Sequence, residues 1–309
     1  MKLSKKDFLS MRDYSREELD AILKLCAEQK PLARAFRLPQ SHPGRVLACI
    51  FHKPSLRTRL SFEIAIRQLG GSSLFITDAE IKIGSREAPK DVAKVLSRYV
   101  DGIMIRTFDQ GLVEDLARYA DVPVINGLTD LLHPCQVLGD VFTAVERFGS
   151  IEGKKVVFVG DGNNVARSWL EAAAKFGFKF VLAAPEGFQI DDSFVASVRA
   201  GRAATEYEWV ADPREAVRGA DVVYADVWTS MGQEAEKERR LKAFKSYQIN
   251  DDLMKLAGRG AIFMHCLPAH RGEEVTDSVI DGPQSVVYEE AENRLHIQRA
   301  IIALLVPGE

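Results

Sequence analysis

Short apolar runs rich in β-branched and aromatic residues alternate with stretches of helical periodicity from Val46 to the C-terminus. That alternation is the pattern of parallel sheets joined by crossover helices. Strand-like runs span Val46–Phe51, Leu74–Thr77, Gly102–Arg106 and Val122–Asn126 in the first half. Lys155–Val159, Phe180–Ala184, Val222–Val227, Ala261–Cys266 and Ser285–Tyr288 repeat the theme in the second half. The pattern predicts an α/β chain with two doubly wound parallel-sheet domains in series. Between them, Cys135–Phe148 carries Val137, Leu138, Val141, Phe142 and Val145 at helical spacing and is closed by Gly149, so a helix is expected to bridge the domains. The stretch Glu292–Leu305 is again helical and ends at Pro307 and Gly308. It follows the last strand of the second unit and is expected to pack back on the first domain. The domains are therefore read as residues 1–148 and 149–309, with a C-terminal helix of about 291–305 returning to the first.

Composition narrows the partners. The 309 residues are 46% hydrophobic and 28% charged, a globular balance. Forty-one basic residues stand against 44 acidic ones, so no global field attracts nucleic acid or an anionic membrane surface, and any anion must be gripped locally. The segment Met1–Ser10 has no apolar run suited to a signal peptide, and the longest hydrophobic tract, Ala300–Val306, is too short to span a bilayer. Cys26, Cys49, Cys135 and Cys266 form no C-x-x-C pair, which argues against both a disulfide framework and a zinc site. A cytoplasmic protein without a metal is expected.

Open parallel sheets place ligands beyond the carboxyl ends of their strands, and four such segments are rich in polar chemistry. His52-Lys53-Pro54-Ser55-Leu56-Arg57-Thr58-Arg59 joins a good N-cap, Ser55, to two hydroxyls and two guanidiniums at a helix start. That set suits a phosphate-sized anion; the plainer reading is a capped helix with solvated arginines. Leu131-Leu132-His133-Pro134-Cys135-Gln136 opens the bridging helix, with His133 and Gln136 near one helix end, where one donor can polarise a carbonyl and the other hold an amide. Arg106, at the end of its strand, is a further anion ligand. Val159-Gly160-Asp161-Gly162-Asn163-Asn164-Val165-Ala166 resembles a dinucleotide fingerprint only superficially, because Val165 replaces the third glycine. Its asparagines would present amides suited to a carboxylate. Asp226 ends one strand and suits an amine. Cys266, between His265 and Leu267, has no base positioned beside it by sequence, and His265 and His270 lack a metal-binding spacing.

Four segments in this order, Pro54–Arg59, Leu132–Gln136, Asp226–Gly232 and His265–Pro268, resemble the aspartate/ornithine transcarbamoylase family, and the likeness runs from the Asp7 region to the C-terminus. The resemblance implies transfer of the carbamoyl group of carbamoyl phosphate to the δ-amine of L-ornithine, giving L-citrulline and phosphate in arginine biosynthesis, with no cofactor. It implies a homotrimer or an assembly of trimers whose active sites lie at subunit boundaries, and no nucleic-acid or membrane partner. Carbamoyl phosphate would be held by Ser55, Leu56 through its backbone, Arg57, Thr58, Lys82, Arg106, His133, Pro134, Cys135, Gln136, Cys266, Leu267 and Arg294. Ornithine would meet Asn164, Asp226, Ser230 and Met231. Arg57, Arg106, His133, Asp226 and Cys266 would carry the catalysis. Two positions depart from the ornithine pattern: Leu56 stands where Thr is common, as also in relatives acting on N-acylated ornithine, and Lys82 stands where Gln is usual. Ser230-Met231-Gly232 matches the free-ornithine form. Transfer to an N-acylated ornithine or another amine is the alternative, with a nicotinamide-dependent dehydrogenase or a non-catalytic binding relative behind it.

Overall fold

The computed structural model describes residues 3–202, 204–229 and 234–308. Among them nine strands, all parallel, form two sheets. The first holds β1 (Val46–Phe51), β2 (Ser72–Thr77), β3 (Gly102–Arg106) and β4 (Val124–Leu128) in the order β2-β1-β3-β4. The second holds β5 (Lys155–Val159), β6 (Lys179–Ala183), β7 (Tyr207–Val210), β8 (Val222–Ala225) and β9 (Ile262–His265) in the order β7-β6-β5-β8-β9. Strand order reverses between β1 and β3 in one sheet and between β5 and β8 in the other. Connections leave in opposite directions there, opening a crevice at the strand ends. The segments that begin at His52, Thr107, Gly160 and Asp226 follow those four strands.

The chain divides into two compact units, Met1–Gly139 with Glu292–Glu309, and Asp140–Ala291. Both crossings fall inside helices, Pro134–Phe148 and Val287–Leu305. In the first unit, Ala48, Ile50, Ile103, Ile105 and Val124 of the sheet are buried with Val92, Val113 and Leu116 of the helices Pro89–Leu96 and Gln110–Tyr119. Each large aliphatic side chain so buried is worth about 1.5–3 kcal/mol before entropy is counted. The C-terminal helix is tied into the same unit: Lys30 donates to Asn293 at 2.7 Å, and Arg299 donates to Gln29 at 3.1 Å and Gln68 at 2.6 Å. In the second unit, Trp169 of the helix Asn164–Phe176 lies edge-on to Phe178 and Tyr224, and Tyr224 stacks on Phe158. Among the described residues no helix is long and apolar enough to cross a membrane.

Besides shifts of one or two residues at the ends of β2, β6, β8 and β9, three strand expectations change. The run expected to start at Val122 begins pairing at Val124 and continues to Leu128, because Pro123 has no N–H to donate to the ladder. The expected strand Ser285–Tyr288 reduces to one isolated bridge between Ser285 and Phe263, and Val287 already starts the C-terminal helix. A four-residue apolar run does not distinguish a strand from a buried first helical turn. Conversely, Tyr207–Val210 is an edge strand without a buried face, so it carries no apolar run to be read.

Candidate active site

In the first unit the turn after β1 delivers Ser55 as the N-cap of the helix Leu56–Gln68. Its hydroxyl accepts the Thr58 N–H at 3.2 Å and donates to Thr58 Oγ1 at 2.9 Å. Leu56 is the first helical residue, so its backbone N–H faces outward with the other unpaired donors of the first turn, while its side chain is 70% exposed. Two distant guanidiniums converge on this helix start. Arg106, at the end of β3, reaches Thr58 Oγ1 at 3.3 Å, and Arg294, from the C-terminal helix, hydrogen-bonds the same oxygen. Thr58, Arg106, Arg294, His133 and Gln136 are all buried. Arg57 is half-buried, and its Nε makes no hydrogen bond to the described residues. The cluster combines a helix N-terminus, two hydroxyls and three guanidiniums, a set built for an anion.

His133 immediately precedes the helix Pro134–Phe148, and Gln136 is in its first turn. Burial, followed by the charges of Arg294 and Arg106, holds the His133 imidazole well below its ordinary range, so it is neutral at pH 7 and offers one N–H as a donor. Cys135 points away from this chemistry: its thiol contacts the Asn126 carbonyl at 3.4 Å, and burial pushes its pKa up to about 12. Lys82 ends the helix Asp78–Ile81 in left-handed conformation at φ 51° with an exposed side chain.

The second unit assembles a complementary group. Asp226, just after β8, accepts the Asn163 side-chain amide at 2.7 Å, its own neighbour's N–H on Val227 at 2.8 Å, and the Cys266 thiol at 3.1 Å. Asn163 also caps the helix Asn164–Phe176 by accepting the N–H groups of Val165 and Ala166. Asn164, the expected ligand, is the first helical residue beside it. Desolvation, followed by the negative charge of neighbouring Asp226, raises the Cys266 thiol well above its ordinary range. Cys266 is therefore a hydrogen-bond donor to Asp226 and no thiolate nucleophile. Leu267 takes a left-handed conformation at φ 57° and precedes a cis peptide to Pro268, and its N–H reaches His265 Nδ1 at 2.8 Å. Asp226, His265 and Cys266 bring donor atoms within 4.8 Å of one another, but the other ring nitrogen of His265 is engaged by Glu274 at 3.1 Å, which leaves the imidazole no lone pair for a metal. Ser230 and Met231 lie outside the described residues.

Sequence reasoning missed several residues. Arg240 pairs with Asp161 at 2.7 Å and donates to the Trp228 carbonyl at 3.1 Å, tying the segment after β8 to the turn after β5. Nothing local marked Arg240, which lies far along the chain. Asp140 carried a signal that was not used: it is an acid set between the core positions Val137, Leu138 and Val141 of one helix face. The two glycines of the turn after β5 have structural explanations that need no dinucleotide. Gly160 has φ +153°, and a Cβ on Gly162 would stand 2.5 Å from the Ile190 nitrogen.

Two family models match this chain. Residues 6–146 match the carbamoyl-P binding domain of aspartate/ornithine carbamoyltransferase, and residues 152–305 match its Asp/Orn binding domain. An ornithine carbamoyltransferase of Symbiobacterium thermophilum is 54% identical over 98% of this chain and 99% of its own length. An anabolic ornithine carbamoyltransferase of Pyrococcus furiosus is 50% identical over 99% and 98%. The solved ornithine carbamoyltransferase structure from Pyrococcus furiosus superposes with a TM-score of 0.95 at 49% identity, covering 99% of this chain and 98% of that one. The one from Thermus thermophilus gives 0.88 at 42%, covering 98% and 99%.

Proposed function

From the premise that this chain belongs to the aspartate/ornithine carbamoyltransferase family, we propose that it transfers the carbamoyl group of carbamoyl phosphate to the δ-amine of L-ornithine, giving L-citrulline and phosphate. The observation that carries the donor side is the convergence of Arg106 and Arg294 on buried Thr58 at a helix start capped by Ser55. The phosphate is held by Ser55, the Leu56 N–H, Arg57 and Thr58, with Arg294 adding charge. Neutral His133 and Arg106 donate to the carbamoyl oxygen, Gln136 takes its amide, and the backbone at Pro134, Cys135 and Leu267 lines the group. On the acceptor side, Asp226 meets an ammonium or amine of ornithine, Cys266 steadies Asp226, and the Asn164 segment with Ser230 and Met231 completes the amino-acid end.

The chemistry balances without a covalent enzyme intermediate. The lone pair of the neutral δ-amine forms the new N–C bond at the carbamoyl carbon. The carbon–oxygen bond to phosphate breaks, its electron pair leaves with phosphate, and the amine proton passes to a phosphate oxygen. Alignment of the two substrates and donors aimed at the developing charge lower the barrier. The assembly is proposed as a homotrimer, with Lys82 reaching a neighbouring subunit's site. The exposed apolar row Leu56, Leu60 and Ile64 on one helix supports such an interface. Four free cysteines fit a reducing cytoplasm, and the biosynthetic direction is that named for the Pyrococcus furiosus relative.

Phosphate release measured with carbamoyl phosphate and a panel of amines tests the reading. Ornithine should be fastest. If N-acetylornithine, putrescine or aspartate outpaces it, the acceptor is wrong.

A further inference from the structure

Beneath the ends of β8 and β9 lies a set of groups that the reaction does not touch. Tyr224 of β8 has its hydroxyl 3.0 Å from Asp140 Oδ2 and 3.2 Å from Glu290 Oε1. Glu290 Oε2 accepts the His265 N–H of β9 at 2.8 Å. Asp140, Tyr224, His265 and Glu290 are all fully buried. A phenol has one hydrogen and can give it to one carboxylate only. With two carboxyl groups on the same phenol and hydrogen-bonded to each other, a second proton must be present, so the trio carries two protons and one negative charge. Burial and the neighbouring Asp140 push Glu290 well above the usual carboxylate range, so Glu290 is the carboxyl at which the extra proton is tested.

The trio is joined to the chemistry by short covalent steps. Tyr224 lies in β8, two residues before Asp226. Glu290 holds the backbone immediately before Cys266, the residue whose thiol donates to Asp226. We propose that Asp140, Tyr224 and Glu290 are positioning residues, a buried proton-sharing trio that fixes the ends of β8 and β9 and thereby the Asp226–Cys266 pair that meets the acceptor amine. The assignment of the amine rests on the function proposed above; the shared proton and the fixed strand ends do not.

Three variants and three readouts separate these ideas. Glu290→Gln keeps the neutral shape, an acceptor for His265 and a donor to Asp140, so its kcat and both KM values should stay near wild type. Glu290→Ala and Tyr224→Phe break the trio and should lower kcat/KM for ornithine by about tenfold or more, the worth of one lost hydrogen bond, with a much smaller change in carbamoyl-phosphate KM. Cys266 is half-buried while the other three cysteines are buried, so the rate of alkylation by iodoacetamide reports the Cys266 segment. It should rise in Glu290→Ala and Tyr224→Phe and not in Glu290→Gln. The infrared difference between wild type and Glu290→Gln at neutral pH should show a protonated carboxyl band in wild type. Absence of that band, or a Glu290→Gln enzyme as impaired as Glu290→Ala, overturns the shared proton. A matching rise in carbamoyl-phosphate KM overturns selective positioning of the acceptor side. Should Glu290→Ala not fold, Tyr224→Phe and Glu290→Gln still give both comparisons. If wild type releases no phosphate with ornithine, the proposed function falls, and the infrared and alkylation results still decide the trio.

Discussion

Arg57 and Arg59 are two residues apart in the first turn of one helix, yet they meet different surroundings. Arg59 is exposed, pairs with Glu63 at 2.9 Å and lies over the Phe75 ring at 3.9 Å. Arg57 is half-buried, and its Nε makes no hydrogen bond to the described residues, which leaves a donor for an anion. Arg57→Ala should therefore lower turnover by about 10²- to 10³-fold, while Arg59→Ala should leave kinetics unchanged and alter stability by about 0–1 kcal/mol. Steady-state kinetics and urea melts check both, and equal losses at the two positions would contradict this division. His133 adds a pH dependence. Its folded pKa lies well below the ordinary 6.5, so as pH falls below 6.5 the unfolded chain binds a proton that the folded chain refuses. Stability present above 6.5 is thus lost on acidification, by up to about 1.4 kcal/mol per pH unit for this group. His133→Gln should flatten that slope between pH 6.5 and 5.5 in denaturant titrations; an unaltered slope would assign it elsewhere. The residue types at both positions were legible in the sequence. Which arginine remained available was not, because Glu63 and Phe75 select Arg59 only once helix and strand are packed.

At the scale of elements, three interior strands were legible to the residue, while the interior strands β6 and β8 differ from their apolar runs by one and two residues at their ends. β1, β3 and β5 are buried along nearly their whole length, so their apolar runs coincide with their hydrogen-bonded limits. The edge strand β7 and the start of the C-terminal helix were not legible, since an edge needs no continuous apolar run and a buried helical turn imitates one. The turn between β5 and the helix Asn164–Phe176 shows how a motif misleads. Its glycines answer a positive φ and a close backbone approach, and its asparagine is spent on capping and on Asp226. Gly162→Ala should force the backbone at Gln189 and Ile190 aside, costing about 1–3 kcal/mol and weakening ornithine binding more than carbamoyl-phosphate binding. A variant with wild-type stability would show that the approach is not tight.

For the whole molecule, the question is what covers Leu56, Leu60 and Ile64, spaced four apart along one helix and 70%, 44% and 38% exposed. Leu60→Lys should shift the proposed trimer toward smaller species in sedimentation velocity, and a trimer of undiminished stability would place the interface elsewhere. The sequence by itself determined the α/β class, the two parallel sheets and the capped, hydroxyl- and arginine-bearing helix start at Ser55–Thr58, because periodicity, capping and helix-end chemistry act over a few neighbouring residues. Tertiary structure alone decided that Arg294 and Arg106 meet at Thr58, that His133 is neutral, that Cys266 stays a thiol, and that Asp140 and Glu290 share a proton. Those outcomes depend on burial and on charges brought together from distant parts of the chain, and neither quantity exists until the sheets have packed.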